Sequence, residues 1–270
     1  MQKTKKLIQY SGGDFFIANE LLERINGLCA DKCTFVEIFG GSGYIFQNVD
    51  RTKFSNIVYN DIDSKLITLY KMVKEKPEML QKILYIIPYS REMNKVIKNI
   101  LKQNENLSEI ETAVFMFYVL NSTFFGEFDK GFAFVVKRNA SKPYFNKINN
   151  ITEISKLWRD ITIENSDFRE IIKRYDRPTT VFYADPPFVN KGKHYYTREF
   201  SVNDLRELAK ILTQIKGKFL LKLDEKTYDI IKDILPENTY KVERLERTLM
   251  FQKVIGEKRS KWTLVLVSNS

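Results

Sequence analysis

The chain of 270 residues has only two cysteines, Cys29 and Cys33, and a single histidine, His194. Two thiols and one imidazole cannot complete a four-ligand zinc site or build a disulfide framework, so chemistry that depends on a bound metal is not expected. No apolar run is long enough to cross a bilayer, and there is no basic-then-apolar leader with a small-residue cleavage site. The expectation is a cytoplasmic protein without membrane contact. Internal repeats and low-complexity linkers are also missing, which argues against a solenoid or a string of tethered modules. Acidic residues are in the minority, 34 against 44 lysines and arginines, for a formal charge of +10. That imbalance points to a polyanionic partner, because lysine and arginine gain affinity by displacing counterions from phosphates.

Hydrophobic residues make up 43% and charged residues 29%. This composition supports a sizeable core, in one large α/β domain or in such a domain carrying an inserted module. The basic residues are unevenly placed. From Lys130 to Asn150 the chain carries Lys130, Lys137, Arg138, Lys142 and Lys147 with no acid, interleaved with Phe132, Phe134, Tyr144 and Phe145. Cations alternating with rings suit a surface that meets phosphates and bases, and Lys130, Lys137, Arg138 and Lys142 are its candidate contacts.

Two strand-then-helix units come first. The apolar run Thr34 to Phe39 ends in Gly40, Gly41 and Gly43, with a helix expected from Tyr44. Asn56 to Tyr59 ends in Asn60, Asp61, Ile62 and Asp63, with a helix over 64–74. Consecutive units of this kind predict a parallel sheet. Residues 77–110 carry helical spacing without strand signal and read as an insertion, followed by a strongly apolar segment, Thr112 to Leu120. The alternation resumes with a strand over 160–164, Asp167 and a helix to Arg174, and the strand Val181 to Ala184. Later come a helix over 202–215, a strand over 218–223, a helix near 227–234, and strands near 240–245 and 262–267.

In an open parallel sheet, ligands collect at the carboxyl ends of the strands. Here those ends read Glu37-Ile38-Phe39-Gly40-Gly41-Ser42-Gly43, Tyr59-Asn60-Asp61, and Ala184-Asp185-Pro186-Pro187-Phe188. Glycines let backbone approach a ligand closely, and Asp61, about twenty residues further on, is placed to bind ribose hydroxyls. That suits an adenosine-containing cofactor. A dinucleotide fingerprint would need a third glycine where Phe46 stands, and no P-loop is present. The Asp-Pro-Pro-Phe run is more specific. Two prolines remove backbone donors and stiffen the chain, turning carbonyl groups toward a cavity. The amino group of a base is a poor nucleophile, because its lone pair is delocalised into the ring. Asp185 and the carbonyl of Pro186 offer the acceptors that would favour a pyramidal nitrogen, while Phe188 would stack on a base rotated out of its helix.

The order of these motifs resembles the adenine-specific DNA methyltransferases of the Dam type, the D12 class, over nearly the whole chain. Tyr10-Ser11-Gly12-Gly13 is similar to the family's N-terminal cofactor motif, and Glu37 to Gly43 to its ExFxGxG element. Asp61, Asp167 and Asp185-Pro186-Pro187-Phe188 follow in family order. The resemblance implies a Rossmann-like S-adenosylmethionine-dependent methyltransferase core of mixed α/β structure, residues 1–63 and 151–270. A mostly helical target-recognition region would be inserted at 64–150.

It further implies that Gly12, Gly13, Phe39, Gly41 and Gly43 line the methionine part of the cofactor, with Tyr10 and Glu37 in the same motifs. Asp61 would meet its ribose and Asp167 its adenine. Asp185, Pro186 and Phe188 would hold the target adenine for direct methyl transfer without a covalent enzyme intermediate. Lys191, Lys193 and Arg198 resemble the family's loop that closes over the flipped base. The partners implied are double-stranded DNA and a cognate restriction endonuclease. One departure is Asp14, where the family usually has lysine. The same residues leave other acceptors open, namely RNA, the amino group of cytosine or a protein amide. A catalytically silent DNA-binding module also stays open.

Overall fold

The computed structural model describes residues 5–10, 16–103, 106–134, 136–137, 139–187, 189, 200–248 and 261–269. In chain order the elements are α1 (Ala18–Leu28), β1 (Cys33–Glu37), β2 (Phe54–Asn60), α2 (Ser64–Glu75), α3 (Pro77–Ile86), α4 (Arg91–Gln103), α5 (Glu109–Ser122), α6 (Ser141–Asn149), α7 (Ile151–Trp158), β3 (Thr162–Glu164), α8 (Phe168–Tyr175), β4 (Thr180–Ala184), α9 (Val202–Leu212), β5 (Lys218–Asp224), α10 (Glu225–Asp229), β6 (Lys241–Thr248) and β7 (Lys261–Ser268). The strands form a single sheet in the order β3-β2-β1-β4-β5-β7-β6. β1 to β5 are parallel, and β7 runs antiparallel to both β5 and β6. This is the expected mixed, Rossmann-like α/β architecture.

The chain moves outward from β1 to β3, returns to the centre, and leaves in the other direction through β4 and β5. The reversal opens a crevice at the carboxyl ends of β1 and β4, where an α/β sheet binds its ligands. Alternate residues of each strand enter opposite layers, as the two-residue repeat of a strand requires. Phe35, Tyr59, Tyr183 and Leu220 join one cluster, with the helices that follow β2. Val36, Val58, Phe182 and Phe219 join the other, beneath α8 and α9.

Segment 64–150 lies wholly inside the connection between β2 and β3. Its helices do not form a core of their own, since buried residues of α2 to α6 belong to the same cluster as Phe35 and Tyr59. α5 is apolar on all sides and buried for most of its length, consistent with a helix enclosed by other helices. Its start is set by a capping box between Ser108 and Glu111.

Two expectations change. The helix expected from Tyr44 is one 3-10 turn, Phe46–Asn48. The Glu37 carboxylate accepts the Phe46 N–H at 3.1 Å, and Val49 is extended, so the chain turns straight toward β2. The two cysteines form one disulfide, Cys29–Cys33, between the end of α1 and the start of β1. A lone bridge of this kind is short of a framework, but it does pair the only thiols.

An aromatic cluster lies under the glycine turn that follows β1. Trp158 stacks on Tyr70 with ring centroids 4.0 Å apart, and meets Phe46 at 4.5 Å and Tyr59 at 5.0 Å edge to face. All four rings are fully buried. Trp158→Ala is expected to lower unfolding free energy by about 3–5 kcal/mol, the usual cost of removing a large buried ring. Urea denaturation should show this as a lower midpoint with an unchanged slope.

Candidate active site

The turn is shaped by two glycines in left-handed backbone, Gly41 at φ 47° and Gly43 at φ 64°. Side chains are strained there. They would also collide, since a Cβ on Gly41 would fall 2.8 Å from the Tyr10 ring and one on Gly43 2.8 Å from Phe46. Gly41 is held through both of its peptide groups. Its N–H donates to Asp61 Oδ2 at 2.8 Å, while its carbonyl accepts from the phenols of Tyr59 at 2.8 Å and Tyr70 at 3.0 Å. Gly40 N–H donates to the carbonyl of Asn60 at 2.7 Å, joining the ends of β1 and β2. Tyr10, Gly41, Gly43 and Asp61 thus come together around one turn, with Glu37 bracing its far side through Phe46.

Asp61 is buried, and its other oxygen accepts the N–H of Asp63 at 2.9 Å. Burial raises its pKa from the usual 3.8 to about 6, against the downward pull of the Asp63 and Gly41 N–H groups. Asn60 ties the next strand in, donating to the carbonyls of Ile38 and Ser166 and accepting from the Ser166 N–H.

Beside this turn lies a cleft lined by Ile38, Phe39, Asn60, Ile62, Ser166, Asp167, Phe168, Pro187, Phe200 and Asp204. Phe39, Phe168 and Phe200 approach one another at ring distances of 5.6 to 6.0 Å, making an aromatic wall. Asp167 caps α8 by accepting the Arg169 N–H, and also receives the Arg169 guanidinium at 2.9 and 3.1 Å. The same guanidinium reaches Asp204 and Glu207, both at 2.6 Å, and lies 4.2 Å over the Phe168 ring. Burial alone would raise Asp204, but hydrogen bonds from Ser201 and Arg169 outweigh it and bring its pKa down to about 2. Arg169 therefore organises the acidic rim of the cleft.

β4 delivers the third strand end. Glu37 is paired with Tyr183, and the Ile38 N–H donates to the Tyr183 carbonyl at 2.9 Å, so Asp185 begins beside the glycine turn. Pro186 is buried and Pro187 lines the cleft. Asp185 Oδ2 lies 2.6 Å from the Nζ of Lys222, a lysine only 3% exposed. The sequence reading passed over Lys222, although a charge inside the apolar run Phe219-Leu220-Leu221-Lys222-Leu223 was a usable signal. It likewise missed Tyr59, Tyr70 and Arg169, whose polar tips act far from their own positions in sequence.

Gly12, Gly13 and Asp14, Phe188, and Arg138, Lys191, Lys193, His194 and Arg198 lie outside the described residues. Among the remaining basic candidates, Lys137 and Lys142 are exposed. Lys130 is half-exposed beside Glu127 and Asp129. The aromatic interleaving of this stretch divides between core and surface. Helical spacing turns Tyr144 and Ile148 of α6 inward, and Phe132 is buried against Tyr89, which leaves Phe134 exposed. Lys147 is no surface cation either. It donates to Asn121 Oδ1 at 2.6 Å, and burial pushes its pKa down to about 7. Among the described residues no group of three or more His, Cys, Asp or Glu side chains is placed to hold a metal ion, and no helix is long and apolar enough to cross a membrane.

Comparison with known proteins bears on the same residues. The profile of a family described as D12 class N6 adenine-specific DNA methyltransferase matches residues 10–248. The type II methyltransferase M.MjaIII of Methanocaldococcus jannaschii is 23% identical over 95% of this chain and 92% of its own. The type II methyltransferase M1.LlaDCHI of Lactococcus lactis subsp. cremoris is 26% identical over 93% and 91%. A DNA adenine methylase of Escherichia coli K12 is 23% identical over 78% and 76%.

The raised pKa of Asp61 gives two opposed pH effects. The family resemblance gives Asp61 the cofactor's ribose hydroxyls; a carboxylate in that role accepts best when ionised, so on that expectation affinity for S-adenosylmethionine falls as pH drops through about 6. Asp61→Asn should bind weakly with a flat profile, as read by calorimetric titration. Folding is linked in the other direction. The folded pKa lies above the usual 3.8, so this group's contribution to stability is complete below that value and is lost as pH rises through about 6.

Proposed function

Because this chain belongs to the D12 class of N6 adenine-specific DNA methyltransferases, we propose that the crevice beside β1, β2 and β4 is where it methylates an adenine turned out of duplex DNA. Bound S-adenosylmethionine supplies an electrophilic methyl group on a sulfonium. The residues present fit that cofactor. Gly41 and Gly43 leave a cradle that side chains would fill, Asp61 offers a buried carboxylate at the end of β2, and the Phe39, Phe168 and Phe200 wall beside Asp167 suits a purine. Tyr10 packs over the turn, Glu37 braces it, and Gly12 and Gly13 complete the assignment.

Asp185 and the carbonyl of Pro186 accept hydrogen bonds from the adenine amino group, and Phe188 stacks on its ring. Those acceptors favour a pyramidal nitrogen whose lone pair faces the methyl carbon. The bound cofactor would supply the methyl group and keep the sulfur electron pair, and the proton that the adenine nitrogen gives up would pass to water or to Asp185. Orientation carries most of the rate. The observation that supports this reading most is the pairing of Glu37 with Tyr183, because it sets the Asp-Pro-Pro end of β4 against the glycine turn of β1.

The helical segment 64–150 serves as the target-recognition region. Lys130, Lys137, Arg138 and Lys142 meet phosphates, while Lys191, Lys193 and Arg198 close over the flipped base. The type II names of two relatives support a cognate restriction endonuclease as partner in a cytoplasmic restriction-modification pair.

With labelled S-adenosylmethionine and unmethylated duplex DNA, the product is expected to be N6-methyladenine, with no label in RNA, cytosine or protein. Asp185→Ala should lower turnover by about 100- to 1,000-fold while sparing most DNA affinity. Substantial residual turnover would remove Asp185 from the role given to it. Neutralising Lys137 and Lys142 together should reduce the slope of log affinity against log salt by about 2, since each phosphate contact contributes about 0.9. An unchanged slope in a filter-binding titration would take both lysines off the DNA.

A further inference from the structure

Asp185 stands immediately before two prolines, Pro186 and Pro187, neither of which has an N–H. The aspartates that follow or end strands elsewhere in this fold cap the next helix, Asp63 and Asp167 accepting the N–H two residues on and Asp224 the N–H three residues on. The proline pair beyond Asp185 removes the N–H groups of the next two residues, including the one two positions on that serves Asp63 and Asp167.

A side-chain donor reaches Asp185 from the neighbouring strand. In the parallel pairing of β4 with β5, Ala184 lies opposite Leu221, which sets Lys222 beside Asp185 on the same face of the sheet. Lys222 is walled by apolar neighbours. Leu221 and Leu223 flank it in sequence, and Leu266 is its partner across β7. Its Nζ reaches Asp185 Oδ2 at 2.6 Å. An ammonium buried among leucines is costly unless it is paired and hydrogen-bonded. The sheet gains little from the pair that its ladder does not already provide, since β4 and β5 are joined by backbone hydrogen bonds up to Ala184.

We propose that Lys222 is a positioning residue for methyl transfer, its buried ammonium holding Oδ2 of Asp185 so that Oδ1 is presented to the amino group of the target adenine. The proposal rests on the reading of Asp185 as the residue that grips this amino group. It gives a buried cation in β5 a task in the crevice. A carboxylate engaged in this way is also a weaker base, so the proton released after transfer goes to water.

The test uses the full-length protein, labelled S-adenosylmethionine and unmethylated duplex DNA, with kcat, KM for DNA, calorimetric Kd for S-adenosylmethionine and Tm measured on each variant. Formation of N6-methyladenine by the unaltered protein comes first, and its absence would overturn the functional reading itself. Given that product, Lys222→Met and Lys222→Gln should lower kcat, by on the order of 100-fold for methionine, the scale of a misplacement of about 1 Å. KM and Kd should stay within about threefold, a pattern that marks an interaction used in the transition state. Lys222→Gln keeps a neutral donor one bond shorter, is expected to fold even where the methionine variant does not, and should fall between the methionine variant and the unaltered protein in kcat. Lys222→Arg, which keeps the cation, should recover most of the loss. If a folded methionine or glutamine variant has kcat within about twofold of the unaltered protein, or if the loss is carried by KM or Kd alone, Lys222 is a structural ion-pair partner and the proposal fails.

Discussion

The peptide groups on either side of Gly41 carry the crevice. Asp61 takes the N–H, and Tyr59 and Tyr70 both donate to the carbonyl. Two of these partners, Tyr59 and Asp61, lie at the end of β2 and the third, Tyr70, on α2. A loop that could otherwise fluctuate is thereby pinned in left-handed backbone, where only glycine sits without strain. Asp61 performs this task with the same carboxylate that the functional reading offers to a ribose. Its burial and its hydrogen bonds are two sides of one arrangement: the group is desolvated because it is inside the turn, and backbone N–H groups hold it there.

A second constraint acts at the end of β4. The switch in strand order between β1 and β4 sets the Asp-Pro-Pro end beside the glycine turn, so the two groups of residues need no loop closure to meet. Lys222 of β5 donates to the carboxylate that stands before the two prolines. The acidic rim on the opposite side is arranged by Arg169, which reaches Asp167, Asp204 and Glu207 from one guanidinium. Cations thus set the orientation of the carboxylates at two edges of the crevice.

The helices between β2 and β3 are bound into the same hydrophobic cluster as the inner face of the sheet. Trp158, at the end of α7, packs against both Tyr70 and Tyr59, the two residues that grip Gly41. The helical segment and the glycine turn therefore share their packing. Tyr144 and Phe132 are buried and Lys147 is tied to Asn121, so among the described residues of the basic stretch Phe134, Lys137 and Lys142 are exposed and Lys130 half-exposed. This is a smaller surface than the alternation of rings and cations in the sequence suggested.

The sequence by itself determined the alternation of strands and helices, the glycine turn after β1, the acid at the end of β2 and the Asp-Pro-Pro run at the end of β4. These are local patterns, legible because a strand repeats every two residues and a turn demands particular backbone. It misjudged the stretch after Tyr44, where a side-chain contact from Glu37 shortened the expected helix to a single 3-10 turn. It also misjudged which rings of the basic stretch face outward. Tertiary structure alone decided the pairings between distant residues: Asp185 with Lys222, Gly41 with Tyr59 and Tyr70, and Arg169 with Asp204 and Glu207. Their separations in sequence run from 18 to 38 residues. No local periodicity reports on such distances, because strand order and register decide which side chains share a face.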